Sequence, residues 1–173
     1  MVKYLEKELR IIWLDSFVGL EYKHKVEIYK FIKSAKRISQ GLESAKEYII
    51  TNVGQNEYTT MENSLNQAYL DYILEELDRK GIVAITFESE DYPESFMQIS
   101  LPPFVLYTKG NIDLLKNEIF GIVGSRKSLP LSISLAEDYS KSLLDAGLTL
   151  VTGIAEGIDS AVLISGVENK GNI

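Results

Sequence analysis

Two short apolar segments, each ending in glycine and each followed by a helical pattern, are the strongest constraint on the fold. The segment "EIFGIVG" ends at Gly124, and "LTLVTG" ends at Gly153. Neither segment alternates apolar with polar residues, which is typical of strands buried on both faces of a parallel sheet. Amphipathic stretches follow each of them, so the order from residue 118 is strand, helix, strand, helix. The sequence therefore predicts a right-handed βαβ unit.

The first 80 residues carry a mostly helical pattern. Apolar residues recur at helical spacing in three stretches, "YLEKELRIIWLD", "YKHKVEIYKFIKSAKRI" and "MENSLNQAYLDYILEELDRKG". The last stretch ends at Gly81, a residue type that commonly ends helices. The β-branched segment "IVAITFE" then predicts a strand, and "EDYPESF" predicts a turn. We therefore predict an α/β fold, with a helical domain over residues 1–80 and an incomplete Rossmann-like parallel-sheet domain over residues 81–173.

Composition excludes several classes of site. The chain has no cysteine, which excludes disulfides and thiolate metal sites, and a single histidine, His24, argues against a zinc site or a serine–histidine triad. The formal charge of −7 argues against a protein that coats polyanions generally, but it allows a local anion pocket. No apolar run approaches the roughly 20 residues needed to span a bilayer. We therefore expect a soluble, cytoplasmic protein with no membrane partner.

The segment "IVGSR" places Gly124, Ser125 and Arg126 just beyond the first predicted strand. Ligands of open parallel sheets bind beyond the carboxyl ends of the strands. Glycine lets the backbone approach a ligand closely, helix-start N–H groups favour anions, and arginine can grip a phosphate with two hydrogen bonds. The segment "VTGIAEG" brings Gly153 and Gly157 to the next strand end. The two segments together predict a phosphate-binding corner.

Two further residues are auxiliary candidates. Lys127 follows the arginine, and Asp159 lies near the start of the last predicted helix, where it also fits a helix cap. Glycine-rich turns between strands and helices are common without any ligand, so "GSR" alone leaves a structural role open. The chain has neither G-x-G-x-x-G nor G-x-x-x-x-G-K-[ST], and no nucleophile is placed beside a base. The residues therefore indicate no catalytic group, no metal and no cofactor.

The order of these motifs resembles the DNA-processing protein A family, also called DprA or Smf. The resemblance begins at "YP" (Tyr92-Pro93), continues through "PPFVLYTKGN", "IVGSR" and "AGLTLVTG", and ends with "GIAEGIDSA". The helical first part is similar to that family's small SAM-like domain. The segment "FVGLE" occupies the place of a family Gly-x-Gly hairpin, with Glu21 at the second glycine.

The resemblance implies a Rossmann-like domain that binds single-stranded DNA with little sequence preference. It implies a role in natural transformation, in which the protein shields incoming strands and helps to load a RecA-type recombinase, and it does not imply catalysis. Carried over by motif, Gly124, Ser125 and Arg126 would hold a DNA phosphate. Gly153 and Gly157 would line the same pocket.

The sequence departs from the family pattern at three places. Leu131-Ser132 stands where the family has Tyr-Gly, Glu156 stands where it commonly has arginine, and Leu163 lies near a histidine position. Further family strands and basic residues would lie beyond Ile173. The resemblance therefore predicts a truncated or divergent member with reduced binding.

Two alternatives to DNA binding follow from the residues. An inactive protein-interaction module is one, because a shortened sheet leaves an edge able to pair with a partner, including a second copy in a homodimer. A nucleotide-binding Rossmann enzyme using Glu156 is the other. The aromatic residues nearest the corner, Phe104, Tyr107 and Phe120, are assigned to the core rather than to base stacking.

Overall fold

Helices dominate the first of two units into which the chain divides. The computed structural model describes residues 2–173, one unit reaching to Gly110 and the other running from Asn111 to Ile173. The helices of the N-terminal unit are α1 (Glu6–Asp15), α2 (Tyr22–Lys33), α3 (Ile38–Asn52), α4 (Gln55–Asn63), α5 (Gln67–Lys80) and the short α6 (Glu94–Met97).

Helix α1 is the centre of the N-terminal unit. The consecutive residues 10–14, "RIIWL", are all buried, so this helix is covered on every side. The Trp13 Nε1–H group donates to the Ser64 hydroxyl at 2.9 Å, which satisfies the indole inside the core. Ile28 and Ile32 of α2 and Ile49 of α3 belong to the same buried cluster. Each such apolar side chain contributes about 1.5–3 kcal/mol on burial, so the unit has a core of its own.

The stretch "YKHKVEIYKFIKSAKRI" is not one continuous helix, as its periodicity suggested. Helix α2 ends at Lys33 and α3 begins at Ile38. The cause lies 22 to 26 residues earlier, where the buried Arg10 guanidinium donates to the carbonyls of Ile32, Ala35 and Lys36 at 2.9, 2.6 and 3.1 Å. These bonds satisfy the end of α2 from outside the helix, and the chain turns there.

A two-stranded antiparallel sheet completes the N-terminal unit. Strands β1 (Val83–Thr86) and β2 (Val105–Thr108) pair from Val83 opposite Thr108 to Thr86 opposite Val105. Gly81 adopts a left-handed conformation (φ +63°) and ends α5, as predicted. The predicted turn after β1 is partly helical, because α6 follows Pro93.

The C-terminal unit follows the predicted order. A short 3₁₀ helix (Ile112–Lys116) precedes β3 (Ile119–Gly121), α7 (Pro130–Asp145), β4 (Thr149–Val151) and α8 (Ile158–Glu168). Strands β3 and β4 are parallel, with Ile119 opposite Thr149. The predicted strand–helix–strand–helix order and the parallel pairing are therefore confirmed.

Burial of β3 on both faces, which its apolar sequence suggested, is wrong. Ile119, Phe120 and Gly121 are all exposed, and Phe120 keeps 48% of its surface accessible. The buried core of this unit consists of Ala136, Leu150 and Val162, from α7, β4 and α8. The sheet has two strands, and no core residue comes from β3, so its side chains have too few neighbours to be buried.

The architecture confirms the α/β fold class. The predicted domain boundary between residues 80 and 81 stays a prediction. The two compact units of the structure divide after Gly110. Within residues 2–173, no helix combines the length and the apolar character needed to cross a membrane.

Candidate functional site

The two predicted loops lie side by side in the C-terminal unit. We call residues 124–128, after β3, the first corner loop and residues 152–157, after β4, the second corner loop. The Ile158 N–H group donates to the Ser125 carbonyl at 3.3 Å. Gly157 has φ +84°, and a Cβ atom there would lie 2.2 Å from the same carbonyl oxygen. Only glycine permits this contact, which joins the two loops backbone to backbone.

The Asp159 side chain lies against both corner loops. The side chain is buried, and Oδ1 accepts a hydrogen bond from the Gly124 N–H group at 3.2 Å. A Cβ atom on Gly153 would lie 2.4 Å from Asp159 Oδ2, and one on Gly124 would lie 2.6 Å from the Ile158 side chain. The glycines at 124 and 153 therefore allow close packing on the start of α8, and the Gly124 N–H group is already used inside the protein.

Ser125 builds the turn of the first corner loop. Its hydroxyl donates to the Lys127 carbonyl at 3.0 Å and accepts from the Lys127 N–H group at 3.2 Å. The Ser128 hydroxyl donates to the Ser125 carbonyl at 2.7 Å. Short local bonds of this kind define the loop shape. The hydroxyl that was predicted as a ligand donor is engaged by its own loop in this structure.

Arg126 and Lys127 present two cations at the corner. Both side chains are exposed, and within residues 2–173 neither forms a hydrogen bond or an ion pair. The N–H groups of Ser125 and Arg126 also donate to no atom of the described chain. The corner therefore offers main-chain donors and two cations to an anion. The carboxylate of Glu156, in the second corner loop, is exposed and opposes them.

Two features of the corner were missed from the sequence. The Thr152 hydroxyl, directly beyond β4, is buried and has no hydrogen-bond partner in the described residues. The threonine in "LVTG" could have drawn attention to it, because strand ends carry site residues. Exposed apolar side chains also border the loops, since Val123 and Ile154 are largely accessible.

Two of the three aromatic residues assigned to the core differ from their assignment. Phe104 is in the N-terminal core, as assigned, whereas Tyr107 and Phe120 are about half exposed, so their assignment to the core is wrong. In the part of the chain that the structure describes, no group of three or more His, Cys, Asp or Glu side chains is arranged to hold a metal ion.

These observations define the class of protein: an α/β protein with a glycine-rich, cationic corner beyond the ends of two parallel strands. The family model described as "DNA recombination-mediator protein A" matches residues 83–173, just over half of the chain. The chain belongs to this family, which confirms the resemblance to DprA and Smf proteins.

Individual relatives agree with this assignment. The DNA processing protein DprA of Bacillus subtilis is 31% identical over 120 residues, which cover 68% of this chain and 40% of that protein. The protein Smf of Borreliella burgdorferi is 37% identical over 95 residues, covering 53% of this chain and 29% of that protein. The chain thus spans less than half the length of these relatives.

A solved structure supports the fold. The X-ray structure of DNA processing protein A (DprA) from Streptococcus pneumoniae aligns with a TM-score of 0.70 and 21% sequence identity. The alignment covers 98% of this chain and 56% of that one, so both the helical part and the βαβ part have counterparts there.

Proposed function

We propose that the protein binds single-stranded DNA at the corner, as part of DNA processing in recombination during natural transformation. The observation that carries the proposal is the backbone contact between Gly157 and Ser125, because it joins the two loops while Arg126 remains unpaired. In this proposal Gly124, Ser125, Arg126, Gly153 and Gly157 surround a DNA phosphate, with Lys127 beside it.

Asp159 has a positioning role in this proposal. Its bond to the Gly124 N–H group holds the first corner loop against α8, so that the N–H groups of Ser125 and Arg126 stay accessible. The family description "DNA recombination-mediator protein A" and the name of the Bacillus subtilis relative support DNA as the ligand class. The proposal extends to a RecA-type recombinase as the partner, in the cytoplasm. Phosphate contacts carry little sequence information, so binding would depend little on base sequence. The proposal contains no catalytic step.

The test is fluorescence anisotropy of the full chain with a labelled oligo-dT and a mixed-sequence strand, at low and moderate salt. Replacing Arg126 by Ala should weaken binding to both strands about tenfold or more, because a hydrogen bond to a charged group contributes about 1.5–3 kcal/mol. Lys141→Ala is the matched control, since it removes one exposed cation of α7. Glu156→Arg should tighten binding by removing the opposing carboxylate.

Equal effects of Arg126→Ala and Lys141→Ala would contradict the site. They would show that the strand responds to net charge alone. The salt dependence gives a second check. Each phosphate contact on a single strand contributes about 0.7 to the slope of log K against log salt, so the slope measures how many contacts the protein makes.

The exposed edge of β3 favours a second candidate, an interaction module that pairs with a second copy. Thr149 N–H donates to the Glu118 carbonyl and Ile122 N–H to the Val151 carbonyl, both at 3.0 Å. Bonding alternates along a strand, so the main-chain groups of Ile119 and Gly121 point away from β4. Such an edge can pair with another strand. A monomeric mass at all concentrations in light scattering would exclude this candidate.

A further inference from the structure

The positive charge of the chain is concentrated in one segment of the N-terminal unit. Although the chain has a formal charge of −7, residues 23–37 contain a single carboxylate, Glu27. The same segment contains six cations: Lys23, Lys25, Lys30, Lys33, Lys36 and Arg37. The first three of these are paired with Glu21, Asp15 and Glu27 at 2.8, 2.7 and 2.5 Å.

The other three cations have no such partner. Lys33, Lys36 and Arg37 are exposed, and within residues 2–173 their side chains form no ion pair. They lie in or next to the turn between α2 and α3, and we call residues 33–37 the basic turn. Lysines and arginines this close repel one another, which costs stability unless an anion is near.

Arg10 removes the internal source of negative charge at this turn. The carboxyl end of a helix would normally attract lysines through its free carbonyls. Here the Arg10 guanidinium donates to the Ile32, Ala35 and Lys36 carbonyls, so these groups are already occupied. Arg10 is 9% exposed and adds a fourth cation, which is paired with Glu6 at 2.5 Å.

A pocket of about 290 Å³ opens beside the basic turn. Arg10 and Arg37 line it, together with Ser39 at the start of α3 and with Asn66 and Gln67 at the start of α5. Helix α3 has no side-chain cap, so its first N–H groups are available. The Glu6 carboxylate, which is paired with Arg10, also lines the pocket. The Arg10 Nε atom is buried and has no hydrogen-bond partner in the described chain. Because one carboxylate in the lining faces two arginines and uncapped helix N–H groups, the pocket favours an anion.

We propose that the basic turn binds the phosphodiester backbone of a nucleic-acid strand, with one phosphate at the mouth of this pocket. The proposal rests on the proposed function, in which the protein binds single-stranded DNA, and it adds a second contact surface on the helical unit. A strand fits better than an isolated phosphate, because Lys33, Lys36 and Arg37 are spread over a turn rather than gathered on one point. Leu9, Leu65 and Leu70 of the pocket lining add apolar surface.

The first test compares two triple variants of the full chain in the anisotropy assay. Lys33→Gln/Lys36→Gln/Arg37→Gln neutralises the basic turn, and Lys46→Gln/Arg79→Gln/Lys80→Gln removes the same charge from cations of this unit that are paired with Glu43 and Glu76. The first variant should bind oligo-dT about tenfold or more weakly at low salt. Its salt slope should fall by about 2, since each of the three lost phosphate contacts contributes about 0.7. The control should keep most of the affinity.

The outcomes separate this proposal from the corner. If Arg126→Ala weakens binding while both triple variants behave alike, the basic turn is not a contact surface and the corner stands. If the basic-turn variant weakens binding and Arg126→Ala does not, the corner is wrong and this proposal stands. If the wild-type chain binds no strand even at low salt, both are overturned.

A second test needs no variant. Lysine acetylation of the wild-type chain, read by mass spectrometry, should show protection of Lys33 and Lys36 by oligo-dT and none of Lys46 and Lys80. A parallel reaction contains inorganic phosphate at the same concentration of phosphoryl groups. Protection by oligo-dT alone supports the proposal. Equal protection by free phosphate, or no protection by either, overturns it.

Discussion

The two units of the chain differ in how they use their apolar residues. In the N-terminal unit, α1 is buried all round, and helices and strands both contribute to one core. In the C-terminal unit the buried apolar cluster consists of Ala136, Leu150 and Val162, while the apolar residues of β3 stay exposed. The number of neighbouring elements, rather than the apolarity of a segment, therefore decides whether it is buried.

The largest expected difference between the units is in the cost of truncating a core residue. Ile32→Ala in α2 should reduce the free energy of unfolding by about 3–5 kcal/mol, because a fully enclosed site leaves a cavity. Leu150→Ala in β4 should cost about 2–3 kcal/mol, since the buried cluster around it contains only Ala136 and Val162. Urea unfolding followed by the single tryptophan, Trp13, reports the first variant. Hydrogen exchange of α8 reports the second.

The control for this comparison is Ile164→Ala, on an exposed position of α8. It should leave hydrogen exchange in α8 nearly unchanged. If Leu150→Ala costs as much as Ile32→Ala, the cores are equally enclosed and the contrast between the units is wrong.

The same contrast explains how much of the fold could be predicted. The strand–helix–strand–helix order depends on local pattern, and the helix stop at Gly81 depends on local backbone preference, so both were predictable. The break between α2 and α3 depends on Arg10, which is distant in sequence, so periodicity could not reveal it. The apolar sequence of β3 indicates that the strand could be buried. Phe120 is nevertheless exposed, because burial also needs neighbouring elements that the sequence pattern does not reveal.

A smaller effect should distinguish the loop contact from ordinary glycine flexibility. Gly157 and Gly147 have nearly the same positive φ, +84° and +85°. A Cβ atom on Gly157 would lie 2.2 Å from the Ser125 carbonyl oxygen, whereas one on Gly147 would have no atom within 4 Å. Gly147→Ala should therefore cost about 1 kcal/mol, the usual strain of a left-handed alanine. Gly157→Ala should cost about 2–3 kcal/mol, because its backbone conformation (φ +84°, ψ −125°) strains any residue with a Cβ atom and because the corner loops must also separate. The separation of the loops should also weaken DNA binding.

Hydrogen exchange of α7 and α8 measures both costs, and the anisotropy assay measures binding. Equal losses in the two variants would show that the joined loops add nothing to stability. A Gly157→Ala variant that is destabilised but binds normally would remove the joined loops from the proposed site.

The position of the candidate site in the fold could be predicted from the sequence, but the hydrogen bonds within it could not. Glycines and cations at two strand ends were enough to place Gly124, Arg126 and Gly157 in one corner. The hydrogen bonds were not predictable, because they depend on side-chain directions. The Ser125 hydroxyl is used by its own loop, and Asp159 lies beneath both loops rather than at the surface. The basic turn was also missed, since its significance depends on the position of Arg10.

The smallest expected effect is a difference in alkaline sensitivity. In the described chain, the tyrosines with raised pKa values belong to the N-terminal unit, Tyr29 and Tyr58 among them. Burial is the main cause of the raised pKa in both. A second cause is that each phenol donates a hydrogen bond to a carboxylate, Tyr29 to Glu88 and Tyr58 to Glu43. The folded state therefore keeps these protons at a pH where the unfolded chain begins to release them.

The sign of the effect follows from proton binding. Below about pH 10, the ordinary tyrosine pKa, both states are protonated and the full stability is present. Above it the unfolded chain binds fewer protons than the folded chain, so the free energy of unfolding should fall as pH rises. Urea unfolding followed by circular dichroism between pH 8 and 11 measures this decline. Tyr58→Phe should make it shallower, whereas Tyr72→Phe, with a largely exposed ring, should not. Parallel curves for all three proteins would show that the phenol–carboxylate bonds of the N-terminal core do not contribute to its alkaline sensitivity.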